Sequence, residues 1–410
     1  MSFDFKKCIH DPLYKNSLFI LLNSLTAAFF GFLFWMLAAR LYSSEDVGLG
    51  TALISSAGII VSLSSFGLGT GIIRFLPKSG KKAMLFNSVW IVSIASAAVF
   101  GTIFLKYIEY LSPALAFLME PGFMFIFLLF LIFQASASLV NTSLLALRKA
   151  EYSFTQDMGL GLRILMLIPL TFAGVLGIFE SLGIAYLVSF VIGLFLLFRM
   201  GIAVRLHFCK KEMEEIFHFS LANYVADFLL IADLSILPIL ILNVIGAKEA
   251  AYFYISFSIA SLLYAIPNSI FMSMFIEGSY GEPLRKIVIK SLAVVGALLV
   301  PAGLVMYFHG DVLLSLFSRE YSQNAYEILK LLVLSCAFVT FNAMFMAIKR
   351  IQSDIRPLIA VNALLFVSTV LFSYIFMQRY GIFGVGVGWM AGQGVTAGVA
   401  GVMVWRKGWK

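Results

Sequence analysis

The chain has 410 residues, of which 61% are hydrophobic and 12% charged, with a mean hydropathy of +0.99 and a formal net charge of +8. Soluble domains are about 45–50% apolar and about 25% charged, so the composition excludes an ordinary soluble enzyme or binding module and points to an integral membrane protein. The positive charge follows the membrane surface, as set out below, and calls for no nucleic-acid partner.

The apolar residues come in blocks of about 20, the length of a helix crossing roughly 30 Å of hydrocarbon. A membrane barrel would instead show alternating segments of about 10 residues. In chain order the predicted spans are 17–39, 47–73, 83–105, 122–147, 159–179 and 182–198. The polar stretch MGIAVRLHFCKKEMEEIF follows, and then 218–242, 250–276, 287–308, 326–348, 358–377 and 381–405. The expectation is an all-α polytopic protein of twelve transmembrane helices. The first block is too long for the core of a secretory signal and is read as a retained helix.

Lysine and arginine near helix ends mark the cytoplasmic side. Of the 29 basic residues, 23 fall on the side of both termini, and six (Arg40, Lys106, Lys248, Arg319, Lys330 and Arg379) on the other. Both termini are therefore expected in the cytoplasm, with the basic rim facing anionic headgroups of membrane lipids. Cys8, Cys209 and Cys336 form no CxxC pair, and neither a disulfide frame nor a metal site is expected. The four histidines, His10, His207, His218 and His309, are scattered and lack spaced carboxylate partners. No enzyme is expected, and no channel filter is visible.

Internal repetition carries more weight than any local motif. RLYSSEDVGLGTALIS from Arg40 finds a counterpart in NVIGAKEAAYFYISFS from Asn243, displaced by 203 positions. LLALRKAEYS from Leu144 matches FMAIKRIQSD from Phe345, and LGIAYLVS from Leu182 matches FGVGVGWM from Phe383, both displaced by 201. The chain reads as a duplication: an N-terminal six-helix lobe over 1–200, a cytoplasmic linker over 201–217 and a C-terminal six-helix lobe over 218–410. Six is even, so the copies enter the membrane alike, the parallel arrangement of transporters whose halves rock around a site between them.

GLGTGIIRFLPK, residues 67–78, has the glycines and basic residues of a phosphate-binding loop but not the spacing, which needs four residues between glycines and then Lys before Ser or Thr. It ends a helix instead. Its glycines, with Ser62, Ser64 and Ser65, form a small-residue surface for close helix approach, and Arg74 stands where the second helix meets the cytoplasm.

RLYSSEDVGLG, GLGTGIIRFLP and VLLSLFSREYSQNAYEILKLL resemble the polysaccharide flippases of the multidrug/oligosaccharidyl-lipid/polysaccharide exporter superfamily. The resemblance spans essentially the whole chain on diffuse motifs. It implies a MATE-like inverted-V bundle of two lobes and flipping of a lipid-linked oligosaccharide from the cytoplasmic to the outer leaflet of the cell membrane. The process served would be cell-surface polysaccharide or glycan biosynthesis. No cofactor is implied, and a monomer is expected. The family holds the cargo phosphate on basic residues near its cavity, and Arg74 is the position its motif carries over.

Charges near the bilayer centre cost about 2.5–3.5 kcal/mol on insertion scales, so buried ones are candidates for function. Within spans these are Arg163, Asp227, Asp233 and Lys330. Arg163, expected one turn inside the cytoplasmic end of span five, is a second phosphate candidate; the alternative is that it and Arg74 snorkel to headgroups. Asp227 and Asp233 in span seven are candidates for a coupling H+ or Na+, against a structural ion pair with Arg163. Lys330 reads as snorkelling. Among the buried amides Asn23 and Asn223, in the first helices of the two copies, are the cavity candidates, while most others are read as helix-to-helix bonds. Gly384, Gly388 and Gly392 are expected to pack closely inside the bundle, and Pro169, Pro267 and Pro301 to bend their spans. A cation-coupled multidrug or metabolite exporter of the same superfamily is the alternative function. A major-facilitator carrier is disfavoured because RFLPKSGKK lacks the expected acid.

Overall fold

The structure is a computed structural model and describes residues 12–205, 208–279, 282–352 and 354–407. Among them every regular element is helical. Among the described residues nine helices are long and apolar enough to cross a membrane. The twelve expected spans account for them as follows. Spans one to four are Pro12–Leu41, Ser44–Ser65 continued by Leu68–Phe75, Lys82–Lys106 and Pro121–Ala146. Span five is in pieces, Ala150–Met158 and Leu162–Leu167 with 3₁₀ turns after each, and span six is Val175–Arg199. Spans seven to ten are Lys210–Val244, Ala247–Ser279, Leu284–Ser315 and Tyr326–Ile351. Spans eleven and twelve form one run, Ile355–Lys407, bent at Gly381.

Local chemistry explains the boundaries. The motif after span one caps span two: Asp46 N–H donates to Ser43 Oγ at 3.0 Å, and Ser43 Oγ donates to Asp46 Oδ2 at 2.6 Å, which satisfies a donor that a helix start leaves free. Proline opens span four at Pro121, where its missing N–H costs nothing. Span two stops after Ser65 because Phe66 (φ 45°) and Gly67 (φ 70°) are both left-handed. Ser64 and Ser65 donate to the carbonyls three residues back, and this local bonding competes with the helical ladder.

The chain forms two compact units, Met1–Ile231 and Ala232–Lys410. In the first, Leu68, Ile72, Phe86, Val140, Leu197 and Ile216 form a buried core. In the second, Phe271, Met274, Val288, Met344 and Ile348 do so. Between apolar helices in lipid the hydrophobic effect supplies little, so close fit carries the association. Gly384, Gly388 and Gly392 show it: a methyl group at each would strike the backbone of span eleven at Phe376, Ser373 and Thr369.

The helices run on through Pro267 and Pro301, and span nine departs from helical geometry at His309 instead (φ −125°, ψ 19°). Only Pro169 lies in a break, between Leu167 and the 3₁₀ turn Thr171–Ala173.

Candidate functional site: a hydroxyl-lined cavity and a buried charge cluster

The break in span two opens a cavity of about 470 Å³ in the first unit. Residues of spans two, three, four and seven line it, among them Ser62, Ser65, Thr70, Ser138, Thr142 and Tyr224, and no lining residue is charged. Several of these hydroxyls donate to backbone carbonyls: Ser65 to Ser62, Thr70 to Gly67, Thr142 to Ser138 and Tyr224 to Leu63. With its proton used, a hydroxyl still offers lone pairs, so these groups face the cavity as acceptors. Gly67 and Gly71 hold the continuation of span two hard against span seven, since a Cβ on Gly67 would lie 2.6 Å from the Ser220 carbonyl oxygen and one on Gly71 would meet Ser220 Oγ and Ile216. Close approach is thus the use made of these glycines, as their sequence suggests. Arg74 ends the same short helix, exposed, with its guanidinium carbon 5.7 Å from the Phe75 ring centre.

The second feature lies on spans one, four, five and six. Asn23 Nδ2 donates to Asp157 Oδ2 at 2.6 Å, and Asn141 of span four lies beside that carboxylate. Ser153 Oγ in turn donates to Asn141 Oδ1 at 3.1 Å. Six residues beyond Asp157, Arg163 lies over the Phe34 ring at 5.3 Å, a cation–π contact with span one. Tyr186 of span six bonds Gln134 and feels the charges of both Arg163 and Asp157. One acid, one guanidinium and several amides therefore share a partly buried site.

Arg163 and Asn23 are named from the sequence, and Asp157 is not. The helix that leads into span five begins at Ala150, before residue 159, so Arg163 is thirteen residues along it, about 20 Å at 1.5 Å per residue. The segment AEYSFTQDM is too polar to register as membrane helix, yet Ser153 and Gln156 are buried. Asp157 was lost with it. Arg74 and Arg163 have different surroundings, the first Phe75 and the second Gly31, Phe34 and Tyr186. The side chains of Asn223, Asp227 and Asp233 lie outside the described residues. Lys330 bonds Glu327 at 2.7 Å and lies over the Tyr326 ring at 4.2 Å. Asn342 bonds Gln393 across spans ten and twelve, as expected of a helix-to-helix amide, whereas Asn87 ties span three to the loop after span six through Ala203 and Arg205.

A multi-pass helical bundle with these breaks has the fold of the multidrug/oligosaccharidyl-lipid/polysaccharide exporter superfamily. The structure superposes on a lipid II flippase, MurJ, in an inward closed conformation, with a TM-score of 0.74 and 14% identity over 95% of this chain and 87% of that one. An inward-facing multidrug resistance MATE family transporter gives 0.68 and 16% identity over 92% and 93%. A superfamily transporter from Pyrococcus furiosus gives 0.63 and 14% over 97% and 96%. No curated protein sequence matches. The polysaccharide biosynthesis protein family matches residues 37–327, and the chain belongs to that family.

Proposed function

We propose that the protein flips a lipid-linked oligosaccharide from the cytoplasmic to the outer leaflet of the cell membrane by alternating access, acting as a transporter and not as an enzyme. The observation that carries this reading is the cavity at the break in span two. It is within the roughly 300–1,000 Å³ usual for ligand sites, uncharged, and lined by hydroxyl acceptors suited to sugar hydroxyl donors. Membership in a polysaccharide biosynthesis family agrees with it. In this reading both termini are cytoplasmic, the lobes are 1–200 and 218–410 joined by the linker 201–217, and the protein acts as a monomer. Arg74, one turn beyond Thr70, receives the phosphate, and Arg163 holds it deeper in the first lobe. Asn23 and Asn223 add polar contacts. H+ or Na+ coupling is assigned to Asp227 and Asp233, joined by Asp157, whose amide partners can hold either the carboxylate or its protonated form.

Reconstitution of the purified protein in liposomes with a lipid-linked oligosaccharide tests this. Protein-dependent appearance of the glycan on the opposite leaflet is expected, with Arg74→Ala slowing it and Asp227→Asn altering its dependence on an imposed ion gradient. No protein-dependent movement, or glycosyl transfer by the purified protein, overturns it. A second reading, a cation-coupled exporter, is favoured by one observation, the partly buried Asp157. Uptake of an organic cation abolished by Asp157→Asn, without glycan movement, would select it.

A further inference from the structure

The second unit carries a groove that the reading above leaves without an occupant. It measures about 350 Å³ and runs along spans eight, nine and ten, walled by Leu263, Leu299, Leu304, Tyr307, Phe308 and Leu334. It exists because Gly303, Cys336 and Ala337 are small where their neighbours are large. No lining residue is charged. One end is different. Tyr307 belongs to the groove, its carbonyl accepts a hydrogen bond from Tyr326 at 2.7 Å, and the Lys330 ammonium lies 6.0 Å from the Tyr307 ring and 4.2 Å from that of Tyr326. Lys330 is held at present by Glu327 at 2.7 Å, and about a quarter of its side chain is accessible.

An apolar slot that ends at an ammonium flanked by two tyrosines matches an amphiphile with a hydrocarbon chain and an anionic head. Tyrosine and lysine of this kind stand at the headgroup level of a membrane. The distribution of basic residues puts this end of span ten on the outer side. We infer that the groove holds the hydrocarbon chain of the lipid carrier, with the carrier's phosphate at Lys330 competing against Glu327. The inference rests on the flippase reading. It supplies what that reading lacks, a track that keeps the tail in apolar surroundings on the second unit while hydroxyls of the first handle the sugars.

A polyprenyl phosphate bearing a photoreactive group on its first isoprene units, added to the full-length protein in phospholipid vesicles, tests this. Labelled peptides are mapped by mass spectrometry. Labelling is expected on residues of spans nine and ten lining the groove. Gly303→Leu, which fills the slot, should lower it roughly tenfold, the effect of about two methylenes losing apolar contact. Gly296→Leu, the same change elsewhere on span nine at a position where an added methyl meets nothing within 4 Å, serves as the folding control and should label as the parent does. Lys330→Gln should weaken labelling two- to fivefold, in the range of an exposed charge contact. Labelling unchanged in Gly303→Leu, or competed equally by excess phosphatidylglycerol, overturns the inference, the latter assigning the groove to bulk lipid. Glycan movement scored in the same vesicles separates the two claims. Movement that persists in Gly303→Leu, despite lost labelling or none, ends the role of the groove alone, and absence of movement with the parent protein ends the flippase reading.

Discussion

Spans two and five of the first half and their counterparts, spans eight and eleven, differ in one consistent way: the first pair is broken and the second continuous. They agree at their outer turns. Ser44 and Ala247, 203 positions apart, start spans two and eight, and Gly174 and Gly381 open spans six and twelve with nearly the same backbone angles, φ 55°, ψ −132° and φ 56°, ψ −139°. Only glycine adopts that conformation readily. They part inside the bundle. Gly67, at the break in span two, corresponds to Ile270 inside the unbroken Ala247–Ser279, and Gly159 and Gly161 to Ala360 and Asn362 inside the unbroken first half of Ile355–Lys407. At a displacement of 201 Asp157 and Arg163 correspond to Leu358 and Leu364. The repeat thus holds at the turns that open these spans and fails inside spans two and five.

The sharpest way to break this comparison is to make the first copy resemble the second. Asp157→Leu/Arg163→Leu should fold yet lose transport by about 10²–10⁴-fold, since two charge-bearing contacts of about 1.5–3 kcal/mol each disappear. Asp157→Leu alone should also cost stability, because it leaves the Asn23 amide without the carboxylate it bonds. Thermal unfolding in detergent and vesicle transport read the two effects. A double variant that transports normally would place the function outside the first copy's charge cluster.

Next in size is packing. Gly71 corresponds to Met274, which is buried in the core of the second unit. Gly71→Met should destabilise by about 1–3 kcal/mol as the side chain is forced into Ser220 and Ile216. If thermal unfolding is unchanged, the contact between span two and span seven is looser than these distances require. Smaller again is the effect of the cavity hydroxyls. Ser62→Ala or Thr142→Val should slow glycan movement two- to fivefold, about 0.5–1 kcal/mol for a neutral hydrogen bond, without moving the unfolding temperature. An unchanged rate in both would mean that the sugars do not use this wall.

How far the sequence discloses the molecule follows from the same contrast. Apolar length and the lysine and arginine pattern give nearly every span of both copies, because the membrane demands about 20 apolar residues wherever a helix crosses it. They fail where a helix departs from that rule for a reason of its own. AEYSFTQDM is polar and still buried against neighbouring helices, so Asp157 was overlooked. Breaks were sought at prolines, but Pro267 and Pro301 are carried within continuous helices, which neighbours and local adjustment permit in membrane spans. The observed breaks at Gly67 and Gly381 instead use positive φ, which a glycine in an apolar run announces only weakly. Arg163 and Asn23 were legible because a charge or amide in an apolar block is conspicuous. That Asn23 meets Asp157 is not legible, since the two are 134 residues apart.

The smallest predicted effect concerns the turn the two copies share. In the first copy Tyr42 OH donates to the Leu167 carbonyl at 2.8 Å, tying the end of span one to the broken span five, whereas the counterpart is Ile245, which has no such donor. Burial, then the nearby Asp46 and Glu180, push the Tyr42 hydroxyl up to about 12. The folded protein therefore holds this proton more tightly than the unfolded chain, whose tyrosines titrate near 10. The tie is fully present below about pH 10 and weakens as the pH rises from there to about 12. Tyr42→Phe should cost about 1 kcal/mol, equally at pH 6 and pH 8, and Ile245→Val in the second copy should cost a similar amount through lost packing with no dependence on pH up to 12. Stability curves of the two variants and the parent, taken at pH 8 and pH 11, should converge for Tyr42→Phe and stay parallel for Ile245→Val. A Tyr42→Phe deficit that grows toward pH 11 would mean the hydroxyl acts as an ion in the fold, not as the donor seen bridging spans one and five.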